Sequence, residues 1–384
     1  MKIGFDGKRA VQNFTGLGNY SRYVLEAIQA YYPNEDLSIY APKFVESKHL
    51  DSILGKGKVR LCTPHTNQWK KFRSIWRIWG ITSDLMEDKI ELFHGLSNEL
   101  PLNIHKQSKT KSIVTIHDLI FRRLPQCYPF IDRLIYDYKF RKACRHADRI
   151  IAVSECTKRD VVKDYGIAPE KIEVIYQGCD PTFAVPVTHQ KKEEVRKRYH
   201  LPEQYLLFVG SIEERKNALL IVKALEHLPA NLHLVLAGKK TPYVNLLTSA
   251  LNKQTSGRVH FLHNVPFADL PCIYQLAQVF VYPSRYEGFG IPILEALNSR
   301  IPVIAATGSC LKEAGGPHSL YVHPDDIIGL SRAIQKALQP ETRDIMIQNG
   351  LNWASQFTQE QMAHQTIACY KKVLEGNKDI ISSD

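Results

Sequence analysis

Short runs of four to six apolar, β-branched-rich residues alternate along this chain with amphipathic stretches of ten or more. That rhythm predicts repeated strand and helix units in parallel sheets. In the first half, strands are expected at Lys2–Phe5, Leu37–Tyr40, Val59–Cys62, Leu92–His94, Ser112–Ile116, Arg149–Val153 and Lys171–Ile175. The stretch Gly178–His189 then loses all periodicity and carries two prolines, so it reads as a linker before a charged helix near Lys191–Tyr199. The pattern restarts with strands at Tyr205–Val209, His233–Ala237, Val259–Leu262, Val279–Tyr282, Pro302–Ala305 and Ser319–Val322. Helices are expected near Asp326–Leu338 and Glu341–Asn349. A last amphipathic helix over Thr358–Leu374 would bury Met362, Ile367, Tyr370 and Val373.

A length of 384 residues exceeds what one core usually organises. The expected layout is therefore an N-terminal domain over 1–183, a C-terminal domain over 184–356, and a tail helix over 357–384. The opening residues read as a buried strand and lack the regions of a signal peptide, and no apolar run approaches the roughly 18–20 residues that span a bilayer. Eight cysteines stand without C-x-x-C spacing, which argues against a disulfide framework and a thiolate zinc site. A cytoplasmic setting fits these observations. The net charge of +11 is uneven: residues 1–183 hold 29 Lys/Arg against 21 Asp/Glu, and residues 184–384 hold 21 against 18. A basic half suits a phosphorylated ligand, an anionic membrane or nucleic acid, and charge alone does not choose among them.

Ligands of open parallel sheets bind beyond the carboxyl ends of strands, and four clusters fall there. The first is Tyr282–Ala296, YPSRYEGFGIPILEA. Its loop glycines leave N–H groups free, Pro292 suits a helix start, and Glu287 and Glu295 can reach one ligand from different directions. Singly, Glu295 reads as a helix-dipole partner and Glu287 as a solvated loop residue; together, around Gly288, Phe289, Gly290 and Ile291, they read as a binding site. The second, Val209–Asn217, places Gly210 before the adjacent cations Arg215 and Lys216 at what reads as a helix start, where they could clamp a diphosphate. The third, Thr15–Tyr20, carries Gly16 and Gly18 but fails the dinucleotide pattern, because position 21 is Ser. The fourth is a strand ending in His117 and Asp118. His94, after Phe93, reads as cleft lining or structural, and Ser154 as a cleft residue or a helix N-cap.

The Glu287 to Glu295 spacing within YEGFGIPILEA closely resembles the signature of the retaining glycosyltransferases of family four, and the resemblance spans nearly the whole chain. It implies a GT-B fold: two Rossmann-like, doubly wound parallel-sheet domains facing a central cleft, with the C-terminal helix returning to the N-terminal domain. It further implies that Glu287 contacts the donor sugar, that Glu295 holds ribose hydroxyls, and that Arg215 and Lys216 neutralise the leaving nucleoside diphosphate. The family's flexible Gly-x-Gly-x-Tyr loop maps to Gly16, Gly18, Asn19 and Tyr20, its active-site His to His117, and its cleft Ser to Ser154. Asp118 would orient the loop or the imidazole.

The expected reaction moves a hexose, mannose favoured, from a nucleoside-diphosphate sugar to a glycan or lipid-linked acceptor in surface-polysaccharide or glycolipid assembly. GDP-mannose is favoured over a UDP-sugar. No cofactor and no metal is expected, since no D-x-D stands at a strand end and Asp325-Asp326 reads as a helix start. A nucleotide-sugar epimerase on the same fold and a non-catalytic sugar-nucleotide-binding subunit are the alternatives; nucleic-acid binding rests on charge alone. One departure is Asn298-Ser299-Arg300, which follows Leu297 where the family carries a small Cys-Gly turn and would bring a bulky cation toward the cleft. Gln68–Trp79 sets Trp69, Phe72, Trp76 and Trp79 on one helical stripe beside four basic residues. Such a helix either lies on an anionic membrane or packs its aromatics inward, and the sequence leaves both open.

Overall fold

The computed structural model describes residues 1–13, 15–45, 50–55, 59–106 and 109–376. The chain divides into two compact units. One holds Met1–Phe121, Tyr128–Gln177 and the chain from Thr358 onward; the other holds Arg122–Cys127 and Gly178–Phe357.

The first unit is built on seven parallel strands: β1 (Lys2–Asp6), β2 (Asp36–Tyr40), β3 (Val59–Cys62), β4 (Leu92–Gly95), β5 (Lys111–Ile116), β6 (Arg149–Ala152) and β7 (Ile172–Val174). Their order is β3-β2-β1-β4-β5-β6-β7, so the winding reverses between β1 and β4. Both faces of the central strands are covered, which is why Ile3, Phe5, Phe93, Ile113 and Val114 are fully buried and the strands read as continuous apolar runs. The second unit has six parallel strands: β8 (Tyr205–Val209), β9 (His233–Ala237), β10 (Val259–Leu262), β11 (Val279–Tyr282), β12 (Val303–Ala306) and β13 (Leu320–Val322). Their order, β10-β9-β8-β11-β12-β13, repeats the same reversal between β8 and β11. The register there pairs Val279 with Leu206 and Phe280 with Val303. A doubly wound sheet offers its ligand crevice at such a reversal, outside the strand carboxyl ends.

The tail helix, Gln359–Glu375, packs within the first unit against the helix Gly16–Tyr31. Met362, Ile367, Tyr370 and Val373 are all buried, as its periodicity requires. Tyr370 is fixed further by a 2.6 Å hydrogen bond between its hydroxyl and His94 Nδ1.

The aromatic segment departs from its expected form. The helix Asn67–Lys71 stops at Phe72 (φ −111°, ψ 50°), a short turn Arg73–Ile75 follows, and Trp76–Gly80 is a π-helical turn leading into Ile81–Glu87. The widened turn breaks the 3.6-residue period, so the four aromatics share no stripe. Trp76 is fully buried and donates Nε1–H to Asp84 at 2.8 Å, while Phe72 and Trp79 remain about half exposed, at 48% and 49%. Arg77 turns inward to Asp6, Nε to Oδ2 at 3.0 Å, and to Glu99 at 2.6 Å. This ion cluster buries one of the four basic residues beside the aromatics. Among the described residues, no helix is long and apolar enough to cross a membrane.

Candidate active site

Two loops of the second unit meet at the β8/β11 reversal. After β8 the backbone passes Gly210 at φ +150°, forms a single 3-10 turn over Glu214–Lys216, and takes a left-handed step at Asn217 (φ 58°) before the helix Ala218–Ala224. Arg215 and Lys216 therefore sit on a tight turn and not on a helix start as expected, because Asn217 ends the turn and its amide is held by the Pro283 and Pro324 carbonyls, at 3.2 and 2.7 Å. Gly238 lies so close to this chain that an added Cβ would fall 1.8 Å from the Gly210 carbonyl oxygen. Gly238→Ala is expected to lose about 3 kcal/mol or more of stability, read by thermal unfolding, because backbone here must move to admit one methyl group.

The loop after β11 is zipped to the first by backbone. Arg285 N–H donates to the Arg215 carbonyl at 2.9 Å, and Arg215 Nη1 donates to the Tyr286 carbonyl at 2.6 Å. Glu287 stands where they meet. Its Oε2 lies 3.0 Å from Arg215 Nη1, and its Oε1 takes Lys216 Nζ at 2.7 Å, Ser284 Oγ at 2.7 Å and Tyr282 Oη at 3.0 Å. Lys216 also donates to Tyr282 Oη at 2.5 Å, and Arg215 Nη2 reaches Glu213 at 2.8 Å. The side chains of Arg215, Lys216 and Glu287 are each only 12% exposed. Burial alone would raise the Glu287 carboxyl, but the charges of Lys216 and Arg215 and the donated hydrogen bonds outweigh it and hold the group down at about 2. Arg215, which burial would discharge, is kept firmly cationic by Glu287 and Glu213. The result is a mostly buried, charged cluster at the strand ends, in which Glu287 is shared by both cations and Arg215 is paired with Glu213 as well.

The helix Ile291–Asn298 begins after Gly290, with Pro292 second in its first turn. Because it starts one residue earlier than Pro292, Glu295 falls in the second turn and no acidic residue lies in the first. A dipole role for Glu295 is thereby weakened. Burial pushes its carboxyl up to about 7, against a 2.7 Å hydrogen bond from Tyr274 Oη, with Asp180 adding to the rise. Since its folded value exceeds the ordinary 4.5, folding favours the protonated form. That contribution is complete below about pH 4.5 and is lost as pH climbs through 7. Glu295→Gln should therefore gain about 1–3 kcal/mol of stability at pH 8 and little at pH 4, measured by denaturant unfolding. Equal melting of the two proteins at both pH values would contradict this environment.

Phe289 is buried, and Cys310 Sγ donates to the carbonyls of Glu287 and Phe289 at 3.1 and 2.7 Å, holding the glycine loop from below. Arg300 lies exposed past the far end of the helix whose start carries the loop, so the expected bulky cation stands away from the crevice. Asp326 caps the helix Ile327–Ala337 through Gly329 N–H at 2.7 Å, while Asp325 pairs with Arg285.

In the first unit, His117 lies at the carboxyl end of β5, nearly buried. Its Nε2–H donates to the Leu96 carbonyl at 2.8 Å, which leaves Nδ1 as the acceptor, and Tyr20 meets the ring edge-on at 4.5 Å. Burial, partly opposed by the Leu96 bond, lowers its pKa to about 4, so the ring is neutral at physiological pH. Asp118 accepts Ile120 N–H at 3.0 Å in a local turn. The segment Thr15–Tyr20, read as opening a helix after the first strand, starts the helix Gly16–Tyr31 with Thr15 at its N-cap position. Gly18 is needed there, because a Cβ would lie 1.8 Å from the Asn13 carbonyl oxygen, whereas Gly16 has open space. Asn19 accepts from Arg22, and Tyr20 Oη meets Thr115 Oγ1 at 3.2 Å. His94 is fully buried between Tyr370 and Thr115, at 2.6 and 2.8 Å, and burial pushes its pKa down to about 3. Ser154 is an N-cap, accepting Thr157 N–H at 3.0 Å. Among the described residues, one trio could hold a metal ion, His65, Asp84 and Glu87, and its Asp84 already accepts from Trp76.

Residues 21–183 match the family described as Glycosyltransferase Family 4, and residues 190–353 match Glycosyl transferases group 1. The chain is a family 4, group 1 glycosyltransferase. The glycosyltransferase is 27% identical to O-antigen chain mannosyltransferase B of Escherichia coli over 97% of this chain and 100% of that protein. It is 31% identical to the Salmonella typhimurium O-antigen chain mannosyltransferase RfbU, over 59% of this chain and 60% of that one. Among solved structures it resembles a glycosyltransferase from Rickettsia africae (TM-score 0.77, 17% identity, 98% and 99% of the two chains). It also resembles Anabaena HepE in complex with UDP and glucose (TM-score 0.75, 17% identity, 97% and 99%). These two share the GT-B fold with the glycosyltransferase; their identity is too low to carry substrate across. Tyr282 and Ser284 lie within the Tyr282–Ala296 cluster, but the sequence does not single them out from it, and Tyr274 and Cys310 fall outside every cluster.

Proposed function

We propose that this glycosyltransferase moves mannose from GDP-mannose, with retention of anomeric configuration, to a glycan or lipid-linked acceptor in O-antigen-like polysaccharide assembly. The observation that carries the reading is the Arg215, Lys216 and Glu287 cluster at the β8/β11 reversal. The mannosyltransferase relatives favour the sugar, and hence GDP as its usual carrier.

In this reading a diphosphate entering beside Glu287 meets two cations already held in place, so stabilising the departing charge requires little reorganisation. Arg215 offers a planar fork to phosphate oxygens and Lys216 a point charge. Glu287, ionised throughout the working range, accepts a hydroxyl of the donor sugar, and the N–H groups of Gly288, Gly290 and Ile291 face the same ligand. Glu295 accepts from ribose hydroxyls. His117, neutral with Nδ1 unprotonated, bonds to the transferred sugar, and Gly16, with open space beside it, allows close backbone approach to the phosphates. As the bond from the anomeric carbon to the β-phosphate oxygen breaks, the acceptor hydroxyl attacks the same face. Its proton passes to the departing phosphate oxygen. The protein would act in the cytoplasm, at or near the inner face of the membrane where a lipid-linked acceptor resides.

The decisive experiment incubates the protein with GDP-mannose, UDP-glucose, UDP-galactose and ADP-glucose and a lipid-linked acceptor mixture, and reads the anomeric configuration of any product by NMR. Stabilisation and turnover with UDP-sugars alone would sink the donor assignment, and an inverted product would sink the stereochemistry.

A further inference from the structure

The helix Phe130–His146 in the first unit is apolar on two opposite faces. Tyr136, Phe140, Ala143 and Cys144 pack inward, with Phe140, Ala143 and Cys144 in the core around β5 and β6. On the other side stand Phe130, Ile131, Leu134, Ile135 and Tyr138, spaced i, i+1, i+4, i+5 and i+8, which places them on one stripe. Their exposure runs from 44% at Ile135 to 68% at Ile131. Five large apolar side chains contiguous on one solvent face are uncommon in a soluble domain and mark a docking surface.

Charge identifies what the surface takes. The helix carries five Lys/Arg against two Asp. Arg133 lies 5.3 Å over the Phe130 ring and Lys142 5.8 Å over the Tyr138 ring, so cations ride on the apolar stripe itself, and Arg145 extends it exposed. A second copy of this chain would have to bury those cations against acids, yet the helix offers only Asp132 and Asp137, and Asp137 is paired with Arg141 at 3.2 Å. An anionic bilayer accepts both kinds of group, taking the apolar side chains into the acyl boundary and leaving the cations among phosphates.

We propose that the Phe130–Tyr138 face docks this protein on an anionic membrane surface. The helix connects two neighbouring parallel strands, β5 and β6, so it runs back against their direction and its first turns lie at their carboxyl ends, the edge that carries His117. The apolar half is thus the half beside the proposed catalytic edge, where a lipid-linked acceptor would arrive. That purpose rests on the proposed function; the docking face does not.

The test floats full-length protein with phosphatidylcholine vesicles containing about 30 mol % phosphatidylglycerol, and with pure phosphatidylcholine vesicles. Wild type should float with the anionic vesicles only. Ile131→Asp with Leu134→Asp, both at exposed positions, should cut the bound fraction about tenfold without moving the thermal unfolding midpoint. Phe72→Asp with Trp79→Asp, on the other exposed aromatic segment, should leave binding unchanged. Three results would overturn the proposal: wild type staying in the soluble fraction, the 131/134 variant floating normally, or the 72/79 variant being the one that loses binding. A dimer in light scattering that the 131/134 variant dissociates without vesicles would assign the face to a second copy and overturn it as well. Flotation as expected by a protein that transfers no sugar supports the docking face and refutes the reaction, so the two readings fail separately.

Discussion

Glu287→Gln is expected to lower the rate of sugar transfer about a hundred- to a thousandfold and to cost about 2–4 kcal/mol of stability. The carboxylate is the shared partner of Arg215 and Lys216 and accepts from Ser284 and Tyr282. Gln keeps the shape, removes the charge, strands the mostly buried Lys216 and leaves Arg215 with Glu213 alone. Because the folded carboxyl titrates at about 2 against an ordinary 4.5, the wild-type cluster contributes stability above about pH 4.5 that is lost as pH falls toward 2. The variant should therefore unfold with a shallower acid dependence over that window. Nucleoside diphosphate should raise its melting temperature more than it raises that of wild type, since phosphate then supplies the missing anion. Wild-type melting together with a wild-type nucleotide shift would show that the cluster is not the diphosphate site.

Lys216→Ala should reduce kcat by about a hundred- to a thousandfold with a smaller change in KM, the pattern of an interaction that strengthens as the diphosphate leaves. It also removes the largest single charge holding Glu287 ionised, so that carboxyl must rise from about 2. The acid limb of kcat/KM should move to higher pH in consequence. Lys216→Arg should recover part of the rate, because charge is restored while the 2.5 Å contact to Tyr282 is not. An unmoved acid limb with kcat within about threefold of wild type would place Lys216 outside the chemistry.

The strands were legible because most are buried runs of β-branched and aliphatic residues closed by a turn signal, while β3, β7 and β10, at sheet edges, are only partly buried; β3, β8, β9, β10 and β11 appear with the expected bounds, and the others differ by one residue at one or both ends. The helices with one apolar face were legible for the same reason, the tail helix most clearly. The segment after Thr66 was not. Whether its aromatics form a stripe depends on a π-turn at Trp76–Gly80, which is set by the Trp76–Asp84 and Arg77–Asp6 contacts, and such partners carry no local periodicity. His94 and Ser154 illustrate the same limit, since a polar residue at a strand end looks alike whether it faces ligand or, as here, Tyr370 and Thr157.

By itself the sequence determined the strand and helix alternation, the two parallel sheets it requires, and the glutamate pair with its glycine loop, because each is written in contiguous residues whose spacing fixes their own backbone. Only the tertiary structure decided that Arg215, Lys216, Tyr282 and Ser284 close around Glu287, that Glu295 is held near neutrality beside Tyr274, and that one helix keeps an apolar face in solvent. These depend on which strand ends become neighbours when the winding reverses, and on which surfaces packing leaves uncovered. Both are properties of the assembled sheets that no stretch of chain carries alone.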